Sequence, residues 1–196
     1  MIEFLSDAPA LTEFPVSYTP GFVKNPDAVF EALWADLNWE RREFTPRREY
    51  WTNIFGRSYT YGRGVGERTY GSQPTHPAIE AVSDSLEALL GFRYEGCFLN
   101  GYENAKDALG FHADDDPNID HSRPIAVVTV GGGRDIECLD RATGRKVRQF
   151  LEPGSLFLMN AGMQDTHFHR IPKAGFVVKN PRISLTFRGL FSEPAT

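Results

Sequence analysis

The sequence predicts one mainly β domain of the α+β class, a barrel or sandwich backed by two helices. From residue 96 onward, short apolar and polar alternations recur at regular spacing, divided by turn residues such as Ala142-Thr143-Gly144 and Glu152-Pro153-Gly154. Ahead of them, two segments carry apolar residues at helical spacing. The chain has 196 residues, of which 41% are hydrophobic and 24% charged. That is long enough for one substantial core and too apolar for a disordered polymer.

Residues 1–24 show no clear period, and the segment Phe14 to Phe22 is expected to add one edge strand. Asn25 then reads as a helix cap followed by Pro26 in the first turn, with Asp27 favourable to the dipole there. Val29, Phe30, Leu33, Trp34 and Leu37 give that helix one apolar face, ending near residue 38. Thr75-His76-Pro77 opens a second helix, with Ile79, Val82, Leu86 and Leu89 as its apolar line and Gly91 as its stop. Both helices are expected to pack on one sheet. Strands are expected at 96–103, 124–130, 134–140, 146–151, 155–160, 166–170 and 182–190.

Composition narrows the function classes. A net charge of −5 argues against coating nucleic acid nonspecifically, while leaving room for a local basic groove. One such segment exists. Seven arginines lie between Arg41 and Arg68 against three glutamates, interleaved with Phe44, Tyr50, Trp51, Phe55, Tyr59 and Tyr61. Rings of this kind can stack on bases while guanidinium groups meet phosphates. The plainer expectation for most of these side chains is a solvated, twisted hairpin whose aromatics pack on the barrel. Gly62, Gly64, Gly66 and Gly71 predict a flexible connection over 62–74, without the strand-to-helix pattern of a phosphate loop. No apolar run approaches the ~18 residues of a membrane helix. The first residues place Glu3 where a secretory signal carries a base, which predicts an intracellular protein. Cys97 and Cys138, without CxxC spacing, read as buried reduced thiols.

The chemistry concentrates between Asn100 and Arg188. His112 and Asp114 are two residues apart, so in an extended segment both leave the same face and can meet one ion. A third ligand is available 57 residues downstream at His169, or at His167 two residues before it. Spacing does not choose between these two. Two imidazoles and one carboxylate on one side of an ion leave three positions open, the arrangement of non-haem Fe(II) oxygenases. Arg182-Ile183-Ser184-Leu185-Thr186-Phe187-Arg188 alternates as a half-buried strand with one polar face, and two arginines there suit an acidic cosubstrate. Asn100 and Tyr102 alternate likewise and can donate hydrogen bonds to that acid. A zinc hydrolase would use the same ligands but gives Arg182 and Arg188 no role.

Asn100-x-Tyr102, His112-x-Asp114, the strand Pro124 to Gly131, His169-Arg170-Ile171-Pro172 and Arg182-x5-Arg188 together resemble the AlkB-like nucleic-acid dealkylating dioxygenases, in motif order over roughly residues 40 to 190. The resemblance implies a double-stranded β-helix, or jelly-roll, and an enzyme using Fe(II), 2-oxoglutarate and O2 to remove N-alkyl groups from bases. It implies iron at His112, Asp114 and His169, its His-Arg-Ile-Pro context favouring His169 over His167. It implies 2-oxoglutarate at Asn100, Tyr102, Arg182, Ser184 and Arg188. Pro46-Arg47 followed by Gly56 to Gly62 resembles the family's nucleotide-recognition lid, so Arg47, Tyr59 and Tyr61 are expected to contact substrate, with Tyr61 stacking on a flipped base. By the same resemblance Asp116 is expected to touch the base's exocyclic amine. The implied organisation is one domain over 1–196, with an extension, lid and supporting helices in 1–95 and the catalytic jelly-roll in 96–190. The implied partner is alkylated DNA or RNA, met by a monomer without membrane attachment. Two other readings are a jelly-roll hydroxylase of another substrate and a catalytically silent nucleic-acid-binding barrel.

Overall fold

The computed structural model describes residues 10–43, 45–60, 67–174 and 181–193, and the backbone of Tyr61. The sequence expectations resting on residues 1–9, Phe44, the Tyr61 side chain and residues 62–66 therefore lie outside the described residues. In chain order the elements are β1 (Val16–Thr19), α1 (Pro26–Asp36), β2 (Arg48–Asn53), β3 (Tyr59–Tyr61), β4 (Arg68–Tyr70), α2 (Pro77–Leu90), β5 (Gly96–Tyr102) and β6 (Leu109–His112). They continue as β7 (Ile125–Gly131), β8 (Arg134–Asp140), β9 (Lys146–Leu151), β10 (Leu156–Met159), α3 (Met163–Thr166), β11 (His167–Ile171) and β12 (Arg182–Arg188).

The strands form a six-stranded sheet in the order β1-β10-β7-β12-β5-β2 and a four-stranded sheet in the order β6-β11-β8-β9. Every pairing within them is antiparallel. Val127 and Phe157 of the larger sheet share one apolar cluster with Ile136, Cys138, Val147 and Ile171 of the smaller, so the sheets face each other in a jelly-roll. The outer face of the larger sheet carries α1 and α2. Leu33, Leu37, Ile79, Val82 and Leu86 of the helical side pack there on Leu99, Val128, Val130 and Leu185. A separate hairpin, β3 with β4, sits over Trp51 and Phe98.

Helix α1 has proline at its start as expected, but Asn25 makes no side-chain cap. In α2 the cap is His76, whose Nδ1 accepts from the Ala78 amide at 3.1 Å, and Gly91 ends the helix at φ +80°. Leu89, expected in the apolar line, is 56% exposed. Leu90 packs on the core in its place, because at about 100° per residue it falls nearer the line through Ile79 and Leu86.

Three departures matter for the site. β12 is buried at every residue rather than on one face, because it lies centrally between β5 and β7. Ile183, Leu185 and Phe187 join the core beneath the helices, which sends Arg182, Ser184, Thr186 and Arg188 into the space between the sheets. β2, expected in a solvated hairpin, pairs with β5 instead and is buried from Glu49 to Asn53. With β1 as the opposite edge, strands from before residue 95 thus complete the larger sheet. Part of the expected connection over 62–74 is strand β4. Among the described residues no helix is long and apolar enough to cross a membrane. Both cysteines are buried and free.

Gly131 sits at φ +78°, and a Cβ there would lie 2.5 Å from the Pro181 carbonyl oxygen and 2.6 Å from the Phe30 ring. Only glycine meets both conditions, at the point where β7, α1 and the entry to β12 crowd together. Gly131→Ala should lower stability by about 1–3 kcal/mol, read from the midpoint of urea denaturation.

Candidate metal centre

β6 and β11 are adjacent, and their register places His112 directly opposite His169. The two imidazole rings lie 4.2 Å apart, tilted by 54°. Asp114 follows two residues after His112, beyond the end of β6. Its Oδ1 lies 3.7 Å from His112 Nε2. One donor atom from each of His112, Asp114 and His169 falls within 4.8 Å of the others. Sequence spacing left His167 open as the third ligand, and the structure separates the two histidines. His167 packs edge-on against Phe14 at 5.4 Å and its Nδ1 lies 2.8 Å from Thr166 Oγ1.

The triad's electrostatics match a metal-ligating state. Gly110 accepts from His112 Nδ1 at 2.9 Å, which turns Nε2 towards Asp114 as the lone-pair nitrogen. Burial depresses the pKa of His112, and it pushes His169 down to about 3 with help from neighbouring His112. Both rings are therefore neutral at neutral pH. Burial alone would raise the Asp114 carboxyl, but Arg188, His169 and His112 outweigh it and hold the group well below the usual carboxylate range. Arg188 reaches Asp114 Oδ2 through Nη2 at 2.9 Å and Nε at 3.2 Å. Asp114 Oδ1 is buried without a hydrogen-bond partner among the described residues.

Arg182, at the other end of β12, is fully buried and has no such carboxylate among the described residues. Its Nη2 donates to Thr129 Oγ1 at 2.9 Å, and its guanidinium lies 5.2 Å from the centre of the Tyr102 ring. Among the described residues Nε, Nη1 and the Tyr102 hydroxyl have no well-formed hydrogen bond, although the Arg182 and Tyr102 side chains lie close enough to interact. Burial pushes the Arg182 pKa down to about 10. A buried cation with two guanidinium nitrogens short of well-formed hydrogen bonds is costly unless an anion reaches it.

Two cavities meet at His112 and Asp114. One, with about 340 Å³ of empty space, is lined by Asn100, Tyr102, His112, Asp114, His169, Ser184, Thr186 and Arg188 among others. The second, with about 260 Å³, is lined by Arg47, Glu49, Tyr59, Phe98, Asn100, Leu109, His112, Asp114 and Arg188. Asn100, Leu109, His112, Asp114 and Arg188 belong to both.

The family model described as the 2OG-Fe(II) oxygenase superfamily matches residues 37–188. The chain is 30% identical over 196 residues to alpha-ketoglutarate-dependent dioxygenase alkB homolog 3 of Bos taurus, covering 91% of this chain and 67% of that protein. The chain belongs to the AlkB-like 2OG-Fe(II) oxygenases. DNA oxidative demethylase ALKBH2 of Homo sapiens is 29% identical over 151 residues, covering 73% of this chain and 56% of that relative. The chain thus spans about two thirds of the homolog 3 relative's length and a little over half of ALKBH2. The solved structure of OsALKBH1 aligns with a TM-score of 0.64 at 14% identity over 89% of this chain and 98% of that one, a likeness of fold.

For an AlkB-like oxygenase the implied cofactors are Fe(II), 2-oxoglutarate and O2. The residues fit them. Two neutral imidazoles and a carboxylate with one unbonded buried oxygen form the donor set such iron takes, and the groups of Arg182 and Tyr102 short of well-formed hydrogen bonds fit a carboxylate.

The substrate residues expected from sequence are placed unevenly. Tyr59 lines the second cavity, packed on Trp51 and Phe98 at ring separations of 5.1 and 5.6 Å. Arg47 also lines it but is only 5% exposed, pairing with Glu49 at 2.6 Å and donating to Asn100 Oδ1 at 2.7 Å. It therefore faces inward rather than towards a phosphate backbone. Glu49, unnoticed in the sequence, is fully buried and also accepts from Tyr70 at 2.7 Å. Asp116 lines neither cavity, and its Oδ1 accepts from the Asn118 amide and side chain at 2.8 and 2.9 Å. His121, expected in solvent, is half-buried with its Nε2 3.2 Å from the Asp116 carbonyl. Much of the basic stretch is neutralised internally: Arg41 and Arg48 pair with Glu103, and Arg42 with Glu40.

Arg182→Met should raise the stability of the ligand-free protein by ~1–3 kcal/mol, since it removes an uncompensated buried charge. Chemical denaturation without 2-oxoglutarate measures this; destabilisation of that size would mean that the bond to Thr129 outweighs the burial cost.

Proposed function

We propose that this chain oxidatively removes N-alkyl groups from bases of DNA or RNA, as a monomeric intracellular enzyme of the DNA-repair type. The whole of 1–196 is read as one dioxygenase domain. The observation that carries the reading is the meeting of two cavities at His112 and Asp114, one of them also lined by His169. That one has Asn100, Ser184, Thr186 and Tyr102 in its wall, and the Arg182 guanidinium lies 5.2 Å from the centre of the Tyr102 ring. The other has aromatic walls. The names of the relatives, a dioxygenase and a DNA oxidative demethylase, support the same reaction class.

In this reading His112 Nε2, Asp114 Oδ1 and His169 hold Fe(II). Arg182 receives the distal carboxylate of 2-oxoglutarate, with Tyr102, Asn100 and Ser184 donating around it. Arg188 occupies Asp114 Oδ2, which leaves Oδ1 as the ligating oxygen and adds positive charge beside the cosubstrate. Once bound, the iron with 2-oxoglutarate and O2 supplies the oxidant: the cosubstrate becomes succinate and CO2, and an N-alkyl carbon gains a hydroxyl group and leaves as an aldehyde. Tyr59 and Phe98 wall the second cavity, exclude water and orient the base so that its alkyl group faces the triad. Tyr61, whose side chain lies outside the described residues, is the residue proposed to stack on the extruded base, and Asp116 orders the neighbouring loop. A base in a duplex must first be extruded, at a cost of a few kcal/mol that falls for single strands.

Anaerobic loading with Fe(II) and 2-oxoglutarate, then an oxygen pulse with methylated single-stranded oligonucleotides, tests this by mass spectrometry. Loss of the methyl group with matching succinate is expected. Asp114→Ala should abolish turnover with the fold retained, and Arg182→Ala should raise the KM for 2-oxoglutarate by at least about 10-fold. Turnover of 2-oxoglutarate without demethylation of any oligonucleotide would remove nucleic acid from the reading and leave the oxygenase.

A further inference from the structure

The three donor residues do not share equal support. His112 and His169 are fixed by the ladder between β6 and β11, which ends at that pair. Asp114 lies beyond it, in a stretch without regular structure, so the sheet does not set its backbone position. One buried side chain does. Gln164 Oε1 accepts from the Asp114 amide at 2.9 Å across 50 residues of sequence. Gln164 is 4% exposed and Asp114 1% exposed, so water offers little competition for this bond. The other end of the Gln164 amide lies 3.6 Å from Met159 Sδ, which leaves the oxygen directed at Asp114.

The origin of Gln164 gives the contact its meaning. It stands in α3, the single helical turn that runs directly into β11, five residues before His169. The segment that supplies the third ligand therefore also clamps the backbone of the second. Arg188 meanwhile holds the carboxylate from the opposite sheet. We propose that Gln164 is a positioning residue that sets where the Asp114 carboxylate stands relative to the two histidines, and so tunes metal affinity without touching the metal. This rests on the triad being the metal centre. It requires nothing about the nucleic-acid substrate.

Gln164→Met keeps side-chain length and bulk but removes the acceptor, whereas Gln164→Glu keeps an acceptor oxygen for the amide. Mn(II), titrated into the full-length protein and followed by the electron paramagnetic resonance of free Mn(II), reports affinity without turnover. Thermal melting without metal reports packing. Gln164→Met is expected to weaken Mn(II) binding by about 10- to 100-fold with little change in melting, and Gln164→Glu to restore most of it. Wild-type affinity in Gln164→Met would overturn the proposal alone. Equal losses in both variants, matched by lower melting temperatures, would reduce Gln164 to a packing role and also overturn it. Absence of Mn(II) binding by the wild-type protein would overturn the metal reading and this inference together.

Discussion

Burial of two arginines on one central strand is the constraint that the interior obeys. β12 lies between β5 and β7, so its polar face has no route to solvent and must be satisfied inside the jelly-roll. Arg188 pairs with Asp114 through Nε and Nη2, leaves Nη1 without a partner among the described residues, and lies over the rings of Tyr59 and Phe98. Among the described residues Arg182 has Thr129 and Tyr102 but no carboxylate. One charge is thus paired with a carboxylate and the other is not. A polar interior of this kind lowers stability in exchange for a prepared site.

That cost is carried by apolar packing on either side. The cluster beneath α1 and α2 holds β5, β7 and β12 from outside, and the cluster shared between the sheets closes one end of the interior. Trp51, Tyr59, Tyr70, Phe98, Ile119 and Leu190 pack together beneath the lid hairpin. The charged groups therefore sit in a rigid shell, which is what pre-organised donors need. Tyr70 of the lid, Glu49, Arg47 and Asn100 form a continuous buried chain from hairpin to cavity, with contacts of 2.7, 2.6 and 2.7 Å. The β3–β4 hairpin is thereby joined to the second cavity through polar contacts as well as packed rings.

The basic, aromatic stretch after residue 40 shows how local charge counting goes astray. Counted over Arg41 to Arg68 it has a large positive excess, yet Glu40 lies just outside the window and Glu103 lies on the far side of α2 and β5. Folding brings both to the arginines. The aromatic rings are likewise divided, with Tyr50 and Trp51 in the sheet and Phe55 partly in solvent. Of the described aromatic side chains in that stretch, Tyr59 is the one that lines the second cavity.

Periodicity and spacing in the chain alone determined the two helices, most strands to within a residue or two, and the pairing of His112 with Asp114, while leaving His167 and His169 both open as the third member. Those features follow from local geometry: alternation places residues on a face, and glycine or proline marks where a segment ends. Tertiary structure alone decided which residues meet across long separations. It put Gln164 on Asp114, Glu49 beneath Arg47, and His167 on Phe14 instead of in the triad. It also turned the expected half-buried strand into a fully buried one. The physical reason is the same throughout: the partner of a buried polar group is chosen by sheet order and register, and neither quantity is written in any short stretch of sequence.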